Sequence, residues 1–371
     1  GPVDGHDLDA MIHLFESLKK IKGPVLVHVF TKKGTGSSKA EHDSIKYYSL
    51  SGKDKESTPG ISYSNIVGQS LIKIGAKKNN FKCITAAMDI GTGISQFCKK
   101  YPNRYIDVGI AEPHALSYAS GLATEGIIPV VPIYSTFMQR AYDHVMHDIL
   151  LQDLPVVLCM DRAGLVGPDG PTHHGVFDIS MLNSLPNIVI SAPKDGNELR
   201  DLIYTGISSS KAFSVRYPKE NCELYDPSQD LSMIDIGKWE YISKGSRIAI
   251  LAVGSMVKKC QNILNSKILI GATLINARFI KPLDVRMLKE LEENHEYIFT
   301  FEEGAEIGGF GSNILNYFSK NNSKLKIFNK GIDDKFIEHG TRSELLRIAG
   351  LDEDSMLNFI ESNINKNEKE V

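Results

Sequence analysis

The sequence predicts an α/β protein in which two parallel-sheet domains follow the end of another α/β domain. From Tyr63 onward, short apolar, β-rich runs alternate with segments of helical period, which is the pattern of parallel βαβ units. Two polar stretches without that period interrupt the alternation, and we interpret them as linkers. The predicted divisions are residues 1–33, a linker at 34–60, a domain at 61–221, a linker at 222–236 and a domain at 237–371.

The composition of the 371 residues is that of an ordinary globular protein, with 42% hydrophobic and 23% charged residues. A net charge of −3 excludes a broad electrostatic attraction to nucleic acid or anionic membranes. No apolar run approaches the ~18 residues of a membrane span. The five cysteines form no CxxC pair, so we expect neither a disulfide framework nor a structural zinc site. This cysteine usage indicates a reducing compartment.

We interpret the first 33 residues as the last unit of an α/β domain. Apolar positions from Asp7 to Lys20 have helical spacing, and Asp7 is placed to cap that helix. Residues 25–30 form a short apolar run, which predicts a buried parallel strand. Residues 1–7 lack the apolar core and the basic residues of targeting peptides. We therefore expect the chain to begin partway through a domain.

The two later domains are each predicted to alternate strands with helices. In the first, strands are predicted at 81–86, 105–109, 127–133, 155–160, 187–190 and 213–217, and helices at 66–74, 111–124, 137–150 and 197–206. In the second, strands are predicted at 247–254, 272–276 and 297–301, and helices at 256–265, 312–319 and 343–349. The tail at 363–371 is charged, and we expect it to fray.

Candidate site residues follow the strands of the first predicted sheet, because parallel α/β sheets bind ligands at the carboxyl ends of their strands. Glu112 opens a small-residue helix, where water access is limited. From position alone, the helix dipole explains Glu112, core packing explains Phe137 and a solvated helix face explains Arg140. The neighbouring His173 and His174 do not indicate a metal site, since adjacent residues rarely point the same way. The glycines at 91–93 and 307–311 lack the full dinucleotide-binding pattern.

Longer motifs identify a family. DVGIAEPHA at 107–115 and YSTFMQRAYD at 134–143 resemble the pyrimidine-binding domain of thiamine diphosphate enzymes of the transketolase superfamily. Within that superfamily, further motifs are similar to the 1-deoxy-D-xylulose-5-phosphate synthase family. They are GPVDGHD at 1–7, DRAGLVG at 161–167, RYP at 216–218, RFIKPLD at 278–284 and GGFGS at 308–312.

The resemblance implies a thiamine diphosphate pyrimidine-binding fold for 61–221 and a transketolase C-terminal-like fold for 237–371, with 1–33 as the remnant of a diphosphate-binding domain. It also implies a transferase that condenses pyruvate with D-glyceraldehyde 3-phosphate to 1-deoxy-D-xylulose 5-phosphate and CO2. That reaction is the first step of the non-mevalonate isoprenoid pathway. The family implies a homodimer as well.

Roles for individual residues come from the same resemblance. Glu112 would hydrogen-bond N1′ of the cofactor's aminopyrimidine, Phe137 would stack on that ring, and Ile110 and Arg140 would lie beside it. His6 and His173 would be catalytic. The substrate-binding residues would be Tyr134, Arg162, Asp169, His173 and Lys219. Two positions depart from the family pattern: Lys219 replaces the usual Arg, which weakens a bidentate phosphate grip, and Pro113 replaces the common Gln.

The family holds the cofactor's diphosphate through Mg²⁺ at a Gly-Asp-Gly motif, and this sequence contains no such triplet. We therefore assign no metal ligand here, expect the Mg²⁺ ligands in a preceding domain, and expect weak or absent cofactor binding by this chain alone. Two alternatives stay open: the β-type half of a 2-oxoacid dehydrogenase, and a non-catalytic fragment.

A bias in composition bears on localisation. Lys outnumbers Arg by 32 to 10, and there are 40 Ile residues, which is typical of an AT-rich genome. With the implied pathway, this bias predicts an apicomplexan plastid (apicoplast) or the cytoplasm of a bacterium.

Overall fold

The computed structural model describes residues 1–44, 47, 59–222 and 224–369. The chain divides into two compact units, Gly1–Thr58 and Pro59–Val371, and each is described by itself. Residues 45, 46 and 48–58 of the predicted linker at 34–60 lie outside the described residues, as do Glu223 and the last two residues of the predicted tail. No helix in the described ranges is long and apolar enough to cross a membrane.

The first unit contains two short strands, β1 Val3–Asp4 and β2 Val29–Phe30, and two helices, α1 Leu8–Leu18 and α2 Ser38–His42. The Asp7 side chain caps α1 by accepting a hydrogen bond from the Ala10 amide, as the sequence predicts. The predicted buried strand at 25–30 is wrong in extent and burial. Only Val29–Phe30 pairs, in parallel with β1, and Leu26 is 95% exposed. The reason is that α1 buries none of its residues, so it does not cover the run.

The strands of the second unit are β3 Ile61–Ser62, β4 Phe81–Thr85, β5 Tyr105–Asp107, β6 Ile128–Tyr134, β7 Val157–Asp161, β8 Ile188–Ser191, β9 Ala212–Arg216, β10 Asn221–Cys222, β11 Glu240–Ser243, β12 Arg247–Ala252, β13 Thr273–Asn276, β14 Phe279–Lys281, β15 His295–Ala305 and β16 Lys326–Ile332. Its α-helices are α3 Tyr63–Lys77, α4 Ser95–Lys100, α5 Glu112–Thr124, α6 Ser135–Met138, α7 Tyr142–His144, α8 Asp178–Asn183, α9 Gly196–Ser208, α10 Met256–Ile263, α11 Val285–Asn294, α12 Phe310–Lys320, α13 Arg342–Ile348 and α14 Glu353–Lys369.

Two sheets organise this unit, which confirms the predicted α/β class. The first has seven strands in the order β14-β8-β9-β7-β6-β4-β5, and the second has five in the order β11-β13-β12-β15-β16. Within these two sheets all pairs are parallel except that β14 runs antiparallel to β8 and β11 antiparallel to β13. Strands β3 and β10 form a separate antiparallel pair. Strand β14 comes from the predicted last domain, yet it completes the sheet of the preceding one.

Apolar runs form the interiors of both sheets. Every residue of β7 is buried, and β6 is buried except at Tyr134, as expected for strands with parallel neighbours on both sides. Helix α5 packs on β6 and buries its small residues Ala115, Ala119 and Ala123. The small side chains let the helix approach the sheet closely, which places the N-terminus of α5 near the strand ends.

Two predicted elements are wrong in extent. The helix predicted at 137–150 is a series of short pieces: α6, a 3-10 turn at Gln139–Ala141, α7 and a π-helical turn at Val145–Leu150. The tail predicted to fray continues as α14 to Lys369. Its spaced apolar residues Met356, Ile360 and Ile364 are buried in the second core, and this burial holds the helix in place.

Candidate active site

The candidate site lies where β5, β6 and β7 of the seven-stranded sheet end. Its side chains come from the start of α5, from α6 and the turn after it, and from the loop that follows β7. We call residues 161–175 the site loop. Adjacent parallel strands end at the same sheet edge, so these segments meet although they are far apart in sequence.

Glu112 is the first residue of α5 and is only 3% exposed. Its Oε1 accepts a hydrogen bond of 3.1 Å from Nη1 of Arg140. The helix N-terminus also favours a negative charge at this position. Arg140 keeps 59% of its side chain exposed, so water screens part of this ion pair. Arg140 donates to Oε1 only, and no described residue donates a hydrogen bond to Glu112 Oε2. That oxygen is therefore available to a ligand.

A row of two stacked aromatic rings with a cationic group at each end extends from Glu112. The Arg140 guanidinium carbon is 5.1 Å from the centre of the Phe137 ring. Phe137 stacks on Tyr134 at 5.4 Å and meets the His173 ring edge-on at 5.4 Å. Arg162 lies over the Tyr134 ring, with its Cζ 3.7 Å from the ring centre. Aromatic and cation–π contacts thus fix the relative positions of five predicted site residues.

The backbone at Gly91 lies close to the side chains of Tyr134 and Arg162 and restricts both. Arg162 Nη1 donates to the Gly91 carbonyl at 3.0 Å, and a Cβ on Gly91 would lie 1.9 Å from the Tyr134 hydroxyl. Only glycine fits at that position without moving the ring. Burial raises the pKa of Tyr134, although the charge of Arg162 opposes the rise. Tyr134 therefore stays a neutral hydroxyl donor at physiological pH.

Asp169 and Lys219 form an ion pair at the outer side of the site, and both are partly exposed. Partial burial acts to raise the pKa of Asp169, but the hydrogen bond and charge of Lys219 outweigh it, and the pKa is lowered. The charges of His173 and Arg162 act in the same direction. Asp169 is therefore ionised and forms a salt bridge with the Lys219 ammonium group.

Asp161 has a role in the site that the sequence reasoning missed. Burial raises its pKa from 3.8 to about 6, opposed by Arg162 and by the hydrogen bond from Ser64. Ser64 Oγ donates to it at 2.7 Å and Arg162 Nη1 at 3.2 Å. The sequence did contain a signal for this role, because Asp161 is a carboxylate directly after the predicted apolar strand at 155–160. Through its salt bridge with Arg162, Asp161 helps to fix the position of the guanidinium.

One predicted site residue of the second unit, Ile110, lies outside the row. Ile110 is 83% exposed in the loop before α5. His6 belongs to the first unit, where its Nε2 accepts a hydrogen bond of 2.8 Å from the Lys32 amide. The structure brings together Glu112, Arg140, Phe137, Tyr134, His173 and Arg162, with Asp169 and Lys219 paired beside them.

His174 has a structural role. Its Nδ1 accepts from the Val166 amide at 3.1 Å, so its Nε2 is the protonated nitrogen and donates to the Glu338 carbonyl at 3.2 Å. Among the residues that the structure describes, no group of three or more His, Cys, Asp or Glu could hold a metal ion.

Comparison with protein families matches three segments of the chain. Residues 59–223 match the transketolase pyrimidine binding domain, and residues 237–356 match the transketolase C-terminal domain. Residues 1–31 match the family described as 1-deoxy-D-xylulose-5-phosphate synthase.

Curated relatives are similar along nearly the whole chain. A 1-deoxy-D-xylulose-5-phosphate synthase of Aquifex aeolicus is 43% identical over 95% of this chain and 57% of its own length. The synthase of Azoarcus sp. is 44% identical over 98% of this chain and 59% of its own length. The chain therefore spans less than two thirds of the length of these relatives.

Solved structures share the fold. A split-gene transketolase, described as an inactive beta4 tetramer, superposes with a TM-score of 0.72 at 24% identity, covering 82% of this chain and 98% of that one. Transketolase from Campylobacter jejuni gives a TM-score of 0.65 at 17% identity, over 82% of this chain and 47% of that one.

Proposed function

Because the chain belongs to the 1-deoxy-D-xylulose-5-phosphate synthase family of transketolase-like proteins, we propose that it forms part of an enzyme that condenses pyruvate with D-glyceraldehyde 3-phosphate. The products would be 1-deoxy-D-xylulose 5-phosphate and CO2. The observation that carries the proposal is the buried Glu112 carboxylate, which Arg140 connects to the Phe137 ring, with two cationic side chains, Arg162 and Lys219, farther along the same site.

The residues at Glu112 fit the pyrimidine half of thiamine diphosphate. Phe137 offers an aromatic ring for stacking, and Glu112 Oε2 is available to a ring nitrogen while Arg140 holds Oε1. When bound, the cofactor supplies the electron sink for decarboxylation of a 2-oxo acid. Glu112 would hold a proton at N1′, and burial keeps water from competing for that hydrogen bond. Ile110 would border the same ring.

Arg162, Lys219 and Tyr134 fit the acceptor substrate. Arg162 presents a planar fork suited to a phosphate, and Tyr134 beneath it is a neutral hydroxyl donor. Lys219 would add a point charge, once the phosphate displaces the Asp169 carboxylate from its ammonium. Asp169 and His173 would then face the sugar hydroxyls, and His6 is proposed to act from the first unit.

Mg²⁺ does not fit the residues described, since they hold no suitable group of ligands, and no step is assigned to a metal on this chain. We further propose a homodimer, since transketolase-like folds work as pairs of subunits. The bacterial relatives favour a bacterial cytoplasm over a plastid.

A Glu112→Gln substitution in the complete protein that carries this sequence tests the proposal. Gln keeps the size of the side chain but cannot hold an exchangeable proton between its oxygen and N1′, so product formation is expected to fall by about 10²–10⁴-fold. Product is measured from pyruvate with and without glyceraldehyde 3-phosphate. The exposed Glu125, just past the end of α5, provides the control Glu125→Gln, which is expected to keep full activity. Undiminished turnover by Glu112→Gln would contradict the role of this residue, and turnover independent of glyceraldehyde 3-phosphate would contradict the reaction.

A further inference from the structure

Two backbone hydrogen bonds between Gly164 and Gly175 close the site loop at its base. The Gly164 amide donates to the Gly175 carbonyl at 2.7 Å, and the Gly175 amide donates back to the Gly164 carbonyl at 2.8 Å. Arg162 precedes this closure, whereas Asp169 and His173 lie within it. Any group that fixes Gly164 and its neighbour therefore fixes the base of the whole loop.

Glu303, at the buried end of β15, is such a group. Its Oε1 accepts a hydrogen bond of 2.8 Å from the Leu165 amide, and the side chain is buried. The backbone at Gly164 has a φ of +81°, and a Cβ there would lie 2.5 Å from the Glu303 carboxyl carbon. Glycine thus lets the loop lie directly on this carboxylate.

The other oxygen of Glu303 connects the loop to the opposite side of the site. Glu303 Oε2 accepts from Arg342 Nη2 at 2.5 Å and from Ser255 Oγ at 2.9 Å. Arg342 Nη1 is 3.0 Å from Oε2 of Glu220, and Glu220 directly follows Lys219. One guanidinium therefore joins the carboxylate that holds the site loop to the residue next to Lys219.

Burial makes this connection stiff. Glu303 is almost wholly buried and the Arg342 side chain is 17% exposed, so their hydrogen bonds are charge-assisted and poorly screened. The Glu303 carboxylate satisfies three donors, from Leu165, Arg342 and Ser255. Rotating it would leave at least one buried donor unpaired, which is costly.

We propose that Glu303 and Arg342 are positioning residues that set the spacing between Arg162 and Lys219, and thereby the preference of the site for a phosphorylated acceptor aldehyde. The inference rests on the proposed function, which supplies the phosphorylated substrate. Neither residue touches that substrate; both act through the loop and through Glu220.

The decisive comparison is between Glu303→Gln and Glu302→Gln, two neighbouring buried glutamates. Glu302 accepts from the Phe310 and Gly311 amides at the start of α12 and does not contact the site loop. Both substitutions replace one buried carboxylate by an amide of equal size. In both variants the new NH2 group would face a hydrogen-bond donor, but only in Glu303→Gln does that loss affect the site loop.

Steady-state kinetics in the complete protein give the readout. For Glu303→Gln, the KM for glyceraldehyde 3-phosphate is expected to rise about tenfold or more, with the KM values for pyruvate and for unphosphorylated glyceraldehyde within about twofold of the unaltered protein. Arg342→Lys, which cannot bridge two carboxylates with one planar fork, is expected to behave in the same way. Glu302→Gln is expected to change none of these constants.

Hydrogen exchange of residues 163–175 supplies a second readout without turnover. Exchange is expected to accelerate in Glu303→Gln and not in Glu302→Gln. A loop that exchanges faster while discrimination between the two aldehydes is retained would overturn the inference, as would equal losses with both aldehydes. If Glu303→Gln fails to fold, Arg342→Lys decides by the same criteria. Absence of condensation in the unaltered protein would instead overturn the proposed function, and the inference with it.

Discussion

Arg162 is held in an uncommon backbone conformation, with a φ of +60°. Its guanidinium covers the Tyr134 ring, donates to the Gly91 carbonyl and pairs with Asp161. A side chain in this region of φ costs on the order of 1–3 kcal/mol and persists where surrounding contacts determine it. The cationic group proposed to bind phosphate is thus oriented by the fold itself.

Gly91→Ala tests how closely the Tyr134 ring is fixed. Because the added Cβ would lie 1.9 Å from the Tyr134 hydroxyl, the ring must move, and we expect a loss of about 1–3 kcal/mol in unfolding free energy. Chemical denaturation measures that loss, and the KM for glyceraldehyde 3-phosphate is expected to rise as well. Gly121→Ala is the control, since a Cβ there meets nothing within 4 Å. Equal stability of the two variants would show that the ring is not confined.

Two buried acids give the stability a pH dependence. Burial raises the pKa of Asp161 from 3.8 to about 6 and that of Glu302 from 4.5 to about 7, in each case against hydrogen bonds that favour the ionised form. Between pH ~4 and ~7 the folded state therefore binds more protons than the unfolded state, and these two groups lower the unfolding free energy as pH rises. Urea titrations at several pH values measure this slope.

The double variant Asp161→Asn, Glu302→Gln is expected to flatten that slope across the same range. An unaltered slope would mean that neither acid takes up a proton on folding.

At the scale of elements, the segment after Tyr134 carries two of the candidate site residues, Phe137 and Arg140, and its helix is broken into short pieces. A π-helical turn at Val145–Leu150 follows two short α-helical pieces and a 3-10 turn. Such irregular turns are frequent at functional sites. Phe137 and Arg140 are three positions apart and so share one side of this segment, where Arg140 reaches both the Phe137 ring and Glu112.

Helix α14 should depend on its apolar face. Ile364→Ala removes a side chain that is buried against the second sheet, and we expect a loss of about 2–5 kcal/mol in unfolding free energy, read from thermal and urea denaturation. The exposed neighbour Asn365 provides the comparison, because Asn365→Ala removes no packing and slightly improves helix propensity. Similar stability of both variants would place the end of α14 outside the core.

Local patterns were sufficient to predict most helices and strands of the second unit, since periodicity and caps are encoded within short windows. Motif resemblance likewise singled out Glu112, Phe137 and Arg162, whose side chains the structure brings into one row; their roles stay a prediction. The contacts of Gly91 with Tyr134 and of Glu303 with Leu165 could not be predicted, because such residues, 138 positions apart in the second case, meet only through the fold. Strand β14 was missed for the same reason: its pairing partner β8 lies in another predicted domain.

At the scale of the molecule, the described residues hold the proposed pyrimidine site but no group of three or more His, Cys, Asp or Glu that could hold a metal ion. Calorimetry of this chain with thiamine diphosphate and Mg²⁺ is therefore expected to give weak or no binding, since these residues offer no such site for the Mg²⁺ that the family uses to hold the diphosphate. Titration with Mg²⁺ alone is the reference. Tight stoichiometric binding of the cofactor would contradict this expectation. It would mean that residues of this chain bind the diphosphate without a cluster of acidic metal ligands.

Strand β14 makes the two sheets of the second unit depend on each other. The chain leaves the first sheet after β9, builds part of the second, and returns through Phe279–Lys281 to pair with β8 before completing the second sheet. Lys281 adds a hydrogen bond from its Nζ to the Asn183 carbonyl. A protease cut between residues 222 and 236 would therefore release no separate domain, because the severed halves would remain joined through a strand that completes the first sheet from within the second half of the chain.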